Sequence, residues 1–380
     1  MSQGANTNPK SRLSSDPTTS NVLLYKLARA EKRIKEITDR LMLLEGMTEP
    51  RLRSILTLRP LRFALRQWFE IKSGKAPNHV DRLSRLTSLE NLYDLDAPKS
   101  DFQPTSAPQS MDWGQLGIAV FLHTRENLAI NMLESLARQD ALHITHIFID
   151  GDQGKPELQA KIDRILEIVG KYPVKAVHRQ RGAFGFRKMM LIAGKYMAEH
   201  YERIVFLEDD CFPVNGAIAE FQRELSLIED NASVFSVYGH PFLTPDEEGV
   251  SGRFQSWGWA TTRSKLLGIW DALQSCYLMS EPEYLAFVEA QLSPDVQRRI
   301  DITPGRQPSS TLKKFFAWDE TVCLLTAAAN QGHKRSETRL IYNCGAGVDA
   351  SHFKSLEMFR SPPFNMIDPQ EVWGIFDQDR

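Results

Sequence analysis

The sequence has no excess of charge of either sign. Its 46 Lys and Arg stand against 48 Asp and Glu, a formal charge of −2 over 380 residues, so no global field draws nucleic acid and any basic surface is local. No apolar run approaches the roughly 18 residues that cross a bilayer, and the opening MSQGANTNPKSRLSS lacks the apolar centre of a signal peptide. A cytoplasmic protein, at most peripheral on the inner face of the membrane, is the expectation. No C-x-x-C pair links Cys211, Cys276, Cys323 and Cys344, which leaves zinc and redox couples without a pattern and points to reduced, buried thiols. No internal repeat is present, which excludes a solenoid. Hydrophobic residues at 42% and charged ones at 25% are in ordinary globular proportion, and the length suits one large domain with accessories or two ordinary ones.

Residues 1–20 carry almost no large apolar groups and read as a disordered tail. Over 21–48, Leu23, Ala30, Ile37 and Leu44 recur every seven residues, and Leu27, Ile34 and Leu41 follow four positions later. This a/d seam predicts a coiled coil and a homo-oligomer, with a single amphipathic helix docked on the body as the alternative. In 49–112 a basic amphipathic stretch precedes a Pro, Ser, Asp and Asn-rich linker: Arg51, Arg53, Arg59, Arg62 and Arg66 are interleaved with Trp68, Phe69 and several leucines. Such a stretch can lie on an anionic membrane surface or pack on its own domain.

From Leu116 the pattern becomes α/β. Apolar runs at Gly117–Leu122, Ile144–Ile149, Val174–Val177 and Ile204–Leu207 alternate with helical patterns at Asn127–Arg138, Glu157–Gly170 and Lys188–His200. This spacing predicts a mostly parallel sheet flanked by helices. A helix over Gly216–Ile228, a strand over Val234–Tyr238, a helix over Ser264–Leu278, a polar loop over Ser293–Ser310, a helix over Asp319–Asn330 and a strand over Leu340–Asn343 complete the reading.

Ligands of an open parallel sheet bind beyond the strands' carboxyl ends, and every such end here is polar. The first is followed by His123, Thr124 and Arg125, the second by Asp150 and Asp152, the fourth by Glu208, Asp209 and Asp210. Three consecutive carboxylates repel one another unless a cation or hydrogen-bond donors compensate, and a hard divalent ion is the simplest compensator. HRQRGAFGFRKMM sets Arg181, Arg187 and Lys188 around glycines ahead of a helix, either for a diphosphate or as solvated charge. Trp257 and Trp259 flank Gly258 and can stack on a sugar ring or fill the core. Asp319 and Glu320 open a helix, where a carboxylate can be a general base or only an N-cap.

IVFLEDDCFP resembles the metal-binding acidic motif of glycosyltransferases with the GT-A (Rossmann-like) fold. The likeness is to N-acetylglucosaminyltransferase I and to bacterial family-2-like, haemolysin-type enzymes. FLHTREN, FIDGDQG, SWGWATT, AWDETV and NCGAGVDASHF are similar to further segments of that family in the same order. The resemblance covers Leu116 to Phe353 and implies a catalytic domain over 113–355, with 356–380 as a C-terminal tail.

It implies a nucleotide-diphosphate sugar as donor, a glycan or lipid-linked acceptor, Mn²⁺ or Mg²⁺ as cofactor, and bacterial surface polysaccharide assembly as the setting. Asp210 with His352 is then the metal site. Thr124, Arg125, Asp150, Asp152, Arg187, Lys188, Glu208, Asp209, Trp257, Gly258 and Trp259 contact the nucleotide sugar. Asp319 is the general base of an inverting transfer, with Glu320 as its understudy. A nucleotidyltransferase is the enzymatic alternative, although HTRENLA lacks that class's Gly-rich phosphate stretch; a coiled-coil scaffold that only binds glycan is the other.

Overall fold

The run LGIAVFL forms β1 (Leu116–Leu122), buried along its whole length, and the sheet extends from it on both sides in the computed structural model. Residues 113–378 are described, apart from 152–154, 181–184, 242–248, 280, 303–306, 314–315 and 348–352. The expected tail, coiled coil and basic segment with its linker all lie outside the described residues.

On one side of β1, β2 (Thr145–Ile149) and β3 (Ala176–Arg179) add in parallel; on the other lies β4 (Arg203–Glu208), also parallel. The sheet continues through β8 (Trp259–Thr262), β6 (Val234–Tyr238), β9 (Gly332–Arg335) and β7 (Val250–Ser251). The order is β3-β2-β1-β4-β8-β6-β9-β7, and only β8 and β7 run against the rest. A ribbon of β5 (Cys211–Pro213) and β10 (Ile341–Asn343) stands beside it. The expected mostly parallel α/β sheet is therefore present.

Alternation along β1 divides the core. Ile118, Val120 and Leu122 face a cluster that includes α1 (Glu126–Arg138), α2 (Pro156–Val169) and α4 (Ala217–Ile228). Ala119 and Phe121 face the opposite cluster, built with α3 (Phe186–His200), α5 (Arg263–Leu278) and α9 (Trp318–Ala328). Among the described residues no helix is long and apolar enough to cross a membrane.

Two expectations are corrected. The polar stretch expected as a loop over Ser293–Ser310 is largely helical. Between α5 and α9 run α6 (Glu281–Gln291), α7 (Pro294–Ile300) and α8 (Pro308–Leu312). Pro294 and Pro308 sit in the first turns of α7 and α8, where a missing N–H costs nothing, and Ser293 caps α7 by accepting from the Val296 N–H at 3.2 Å. The segment expected as a C-terminal tail is part of the folded body. It carries α10 (Leu356–Phe359) and α11 (Val372–Gln378), and buried Val372 and Phe376 join Leu128, Phe212 and Cys344 in a third apolar cluster. Trp373 donates its indole N–H to Asn131 at 3.1 Å, and the Arg138 guanidinium lies 4.3 Å over its ring.

Candidate active site

From β1 the chain first builds outward to β2 and β3, then returns to β1's other flank with β4. The crevice beyond β1 and β4 is thus the switch point of the sheet, where the carboxyl ends open a cleft. β1 delivers Arg125 and β4 delivers Glu208, Asp209 and Asp210 to that point. The acidic turn is fixed by the Asp209 N–H donating to Phe121 O at 3.1 Å.

Arg125 offsets part of this turn's charge. Its Nε donates to Asp209 Oδ2 at 3.0 Å, its Nη2 donates to Asp209 Oδ1, and the same Nη2 reaches Asp210 Oδ2 at 2.9 Å. Burial opposes the guanidinium charge, but the two carboxylates outweigh it and hold the Arg125 pKa above its ordinary value. The sequence leaves a cation or hydrogen-bond donors as compensators, with a divalent ion the simplest; a resident guanidinium supplies part of that compensation.

Burial raises the carboxyl of Asp209 to about 6, with Asp210 adding to the rise and Arg125 opposing it. Glu208 is raised well above the usual range, first by burial and then by Asp210, Asp209 and Asp319. It lines a hollow walled by Phe121, Phe186, Met190, Trp259 and Trp318. That electrostatic effect of Asp319 on Glu208 links the first turn of α9 to the acidic strand end.

The β5–β10 ribbon folds the segment after Asn343 over the turn. Cys344 N donates to Asp210 O at 2.8 Å, and a Cβ on Gly345 would collide with the Asp210 carboxylate. Only glycine lets the backbone pass so close. Asp210 Oδ1 has the Cys211 thiol at 3.6 Å as its hydrogen-bond partner. The donors offered here are hard carboxylate oxygens, and one of them is not engaged by Arg125. This set fits an oxygen-preferring Mg²⁺ or Mn²⁺ that takes its other ligands from phosphate and water. Among the described residues, the acidic turn does not form a group of three converging metal ligands.

At the end of β2, Asp150 accepts from the Gly151 N–H at 2.9 Å and from the Gly185 N–H at 2.7 Å, pinning the start of α3. Lys188, buried in that first turn, has its pKa lowered to about 8 by burial, against an opposing pull from Asp150. Thr124 is half-buried and Arg187 exposed on the same carboxyl edge. Asp152, Arg181 and His352 lie outside the described residues.

The two tryptophans separate. Trp259 is 2% exposed and stacks on Phe206 with centroids 4.4 Å apart, so it is a core residue that forms part of the hollow's wall. Trp257 is half-buried, edge-on to His240 at 5.1 Å and to Phe353 at 5.5 Å. Gly258, at φ +68°, makes the turn between them against Ile341.

On α9, Ala317 and not Asp319 is the N-cap. Asp319 is half-buried in the first turn. Glu320 is directed elsewhere: it is 3% exposed, and its two oxygens accept from Arg253 Nη1 at 2.9 Å and Nη2 at 3.0 Å. The understudy role expected of Glu320 is thereby replaced by a buried ion pair. Arg253 was invisible to sequence reasoning, since 67 positions separate the partners; its one signal is a cation in an otherwise apolar and polar-neutral stretch.

No protein-family model matches the chain, and no curated protein matches it. Among solved structures it is similar to a mannosyltransferase from Pyrobaculum calidifontis in complex with GDP-Man and Mn²⁺, at 14% identity and TM-score 0.30, covering 66% of this chain and 81% of that one. It is also similar to a mannose-1-phosphate geranyltransferase from Thermus thermophilus, at 10% identity and TM-score 0.33, over 59% and 74% of the two chains. A cytidylyltransferase from Leptospira borgpetersenii is similar at 13% identity and TM-score 0.33, over 70% of this chain and 94% of that one.

Proposed function

We propose that the chain is a divalent-metal-dependent, inverting glycosyltransferase of the GT-A type. It moves a sugar from a nucleotide-diphosphate donor to a glycan or lipid-linked acceptor in bacterial surface polysaccharide assembly. The observation that supports this reading is that, at the switch point of a mostly parallel sheet, Glu208 of the acidic strand end shares one hollow with Trp318, which opens the helix that carries Asp319 in its first turn.

Thr124, Asp150, Asp152, Arg187 and Lys188 would contact the nucleotide, Glu208 and Asp209 would face sugar and ribose, and Asp210 with His352 would hold Mn²⁺ or Mg²⁺. Bound there, the ion would neutralise charge gathering on the departing diphosphate. The ring cluster around Phe186 and Trp318 would keep water from the anomeric carbon, and Trp257 would contact the nucleotide sugar. Asp319 removes the acceptor hydroxyl proton as that oxygen bonds to the anomeric carbon and the sugar–phosphate bond breaks on the opposite face. One displacement with one base inverts the centre.

The test is a panel of nucleotide sugars with and without Mn²⁺, read as released nucleoside diphosphate. Metal-stimulated release from one donor supports the proposal; no release from any donor with any glycan or lipid-linked acceptor tested contradicts it.

A further inference from the structure

Arg125 occupies the place at which a cation would join the acidic turn. One guanidinium serves two successive carboxylates, through Asp209 at 3.0 Å and Asp210 at 2.9 Å with a further Nη2 bond to Asp209. Asp209 is 7% exposed, so its charge has little access to water and depends on that partner. The arginine is itself held from behind: it is the N-cap residue of α1, and its carbonyl accepts from the Ala129 N–H at 3.0 Å. A divalent ion entering alone would meet carboxylates already paired and a positive charge a few ångströms away.

We infer that Arg125 closes the acidic turn to free divalent ions and yields it only to an ion arriving with a diphosphate. This inference rests on the transferase reading. A diphosphate supplies what the exchange needs. Its oxygens accept a planar guanidinium in the same bidentate manner as Asp209, so Arg125 can trade carboxylate for phosphate while the arriving cation takes over the charge of Asp209 and Asp210. The swap frees Asp210 oxygens at the moment the cation arrives. Metal and nucleotide then bind with strong positive coupling, and by linkage each tightens the other by the same factor.

The full chain is titrated with Mn²⁺ alone, and again with UDP, GDP, CDP, ADP or dTDP present, with free Mn²⁺ counted by its electron paramagnetic resonance signal. For wild type, Mn²⁺ alone binds weakly, and the cognate diphosphate tightens it by about tenfold or more. Arg125→Gln removes the resident charge, so Mn²⁺ alone binds this variant about tenfold more tightly than wild type, within the usual range of site coupling. Adding Asp210→Asn abolishes the gain. Equal Mn²⁺ affinity of wild type and Arg125→Gln overturns the inference. So does tight wild-type binding of Mn²⁺ alone that no diphosphate improves, a comparison that holds even if Arg125→Gln fails to fold. Failure of every diphosphate to bind any form would instead overturn the transferase reading, while the Mn²⁺-alone comparison still scores Arg125.

Discussion

Breaking the Arg253–Glu320 pair one side at a time should destabilise the protein far more than removing it whole. Both side chains are 3% exposed, and two parallel bonds of 2.9 and 3.0 Å join them. Burial works against the Arg253 charge, and Glu320 more than offsets it, so the guanidinium stays charged. Glu320→Leu leaves that charge uncompensated, and Arg253→Met does the same to the carboxylate. Each should cost about 3–5 kcal/mol. For a folded body of this size that lowers the melting temperature by roughly 10 °C. The pair is not ideally satisfied, because Arg253 Nε is buried with no partner, a defect worth about 1–3 kcal/mol. The double change Arg253→Met with Glu320→Leu should therefore lie within about 1 kcal/mol of wild type, as apolar replacements of buried pairs often do. Urea unfolding of the four proteins closes the double-mutant cycle. Single changes costing under about 1 kcal/mol, or a double change costing the sum of the singles, would refute the reasoning.

Acid should unfold the protein early. Burial lowers the pKa of His146 and His333 from 6.5 to about 3, and of His178 and His240 to about 4. The unfolded chain then binds protons that the folded one refuses, so stability falls as pH drops from 6.5 towards 4, by up to about 1.4 kcal/mol per pH unit for each histidine. Asp209 and Glu208, raised by burial, act in the opposite sense but are two groups against four; a stability profile flat between pH 6.5 and 4 would contradict this balance. The N-terminal heptads should make the full chain oligomeric, so sedimentation of the full chain and of a chain beginning at Asp112 should give a multimer and a monomer; two monomers would remove the coiled-coil reading.

What was legible in the sequence was the part governed by local period. The runs of β1, β2 and β4 and the stripes of α1 to α5 were placed within a residue or two of their ends, because apolar burial dictates both. β3 came two residues later than Val174–Val177, since its AVHR alternates and its histidine is buried against His146 at 2.9 Å. β5 and β8 have no counterpart in the sequence reading, and neither do β7 and β9. At two and four residues, with lysine and arginine in the latter, they depend on sheet pairing more than on apolar content.

At the site, the strand ends announced which residues converge, but not how their charges are balanced. Arg125 and Asp209 are 84 positions apart, and Arg253 and Glu320 are 67. Only the fold brings such partners together. The same holds for Gly345, whose closeness to Asp210 follows from the pairing of β10 with β5.

The most direct test of the proposed transfer is turnover by Asp319→Asn, measured beside donor binding on the same preparation. Asp319 lies in the first turn of α9 but is not its N-cap, so the substitution should leave the fold and the donor affinity near wild type while turnover falls by about 10²–10⁴. Unchanged turnover per folded molecule would contradict the account, because no other carboxylate on α9 is placed to serve as base once Glu320 is paired with Arg253.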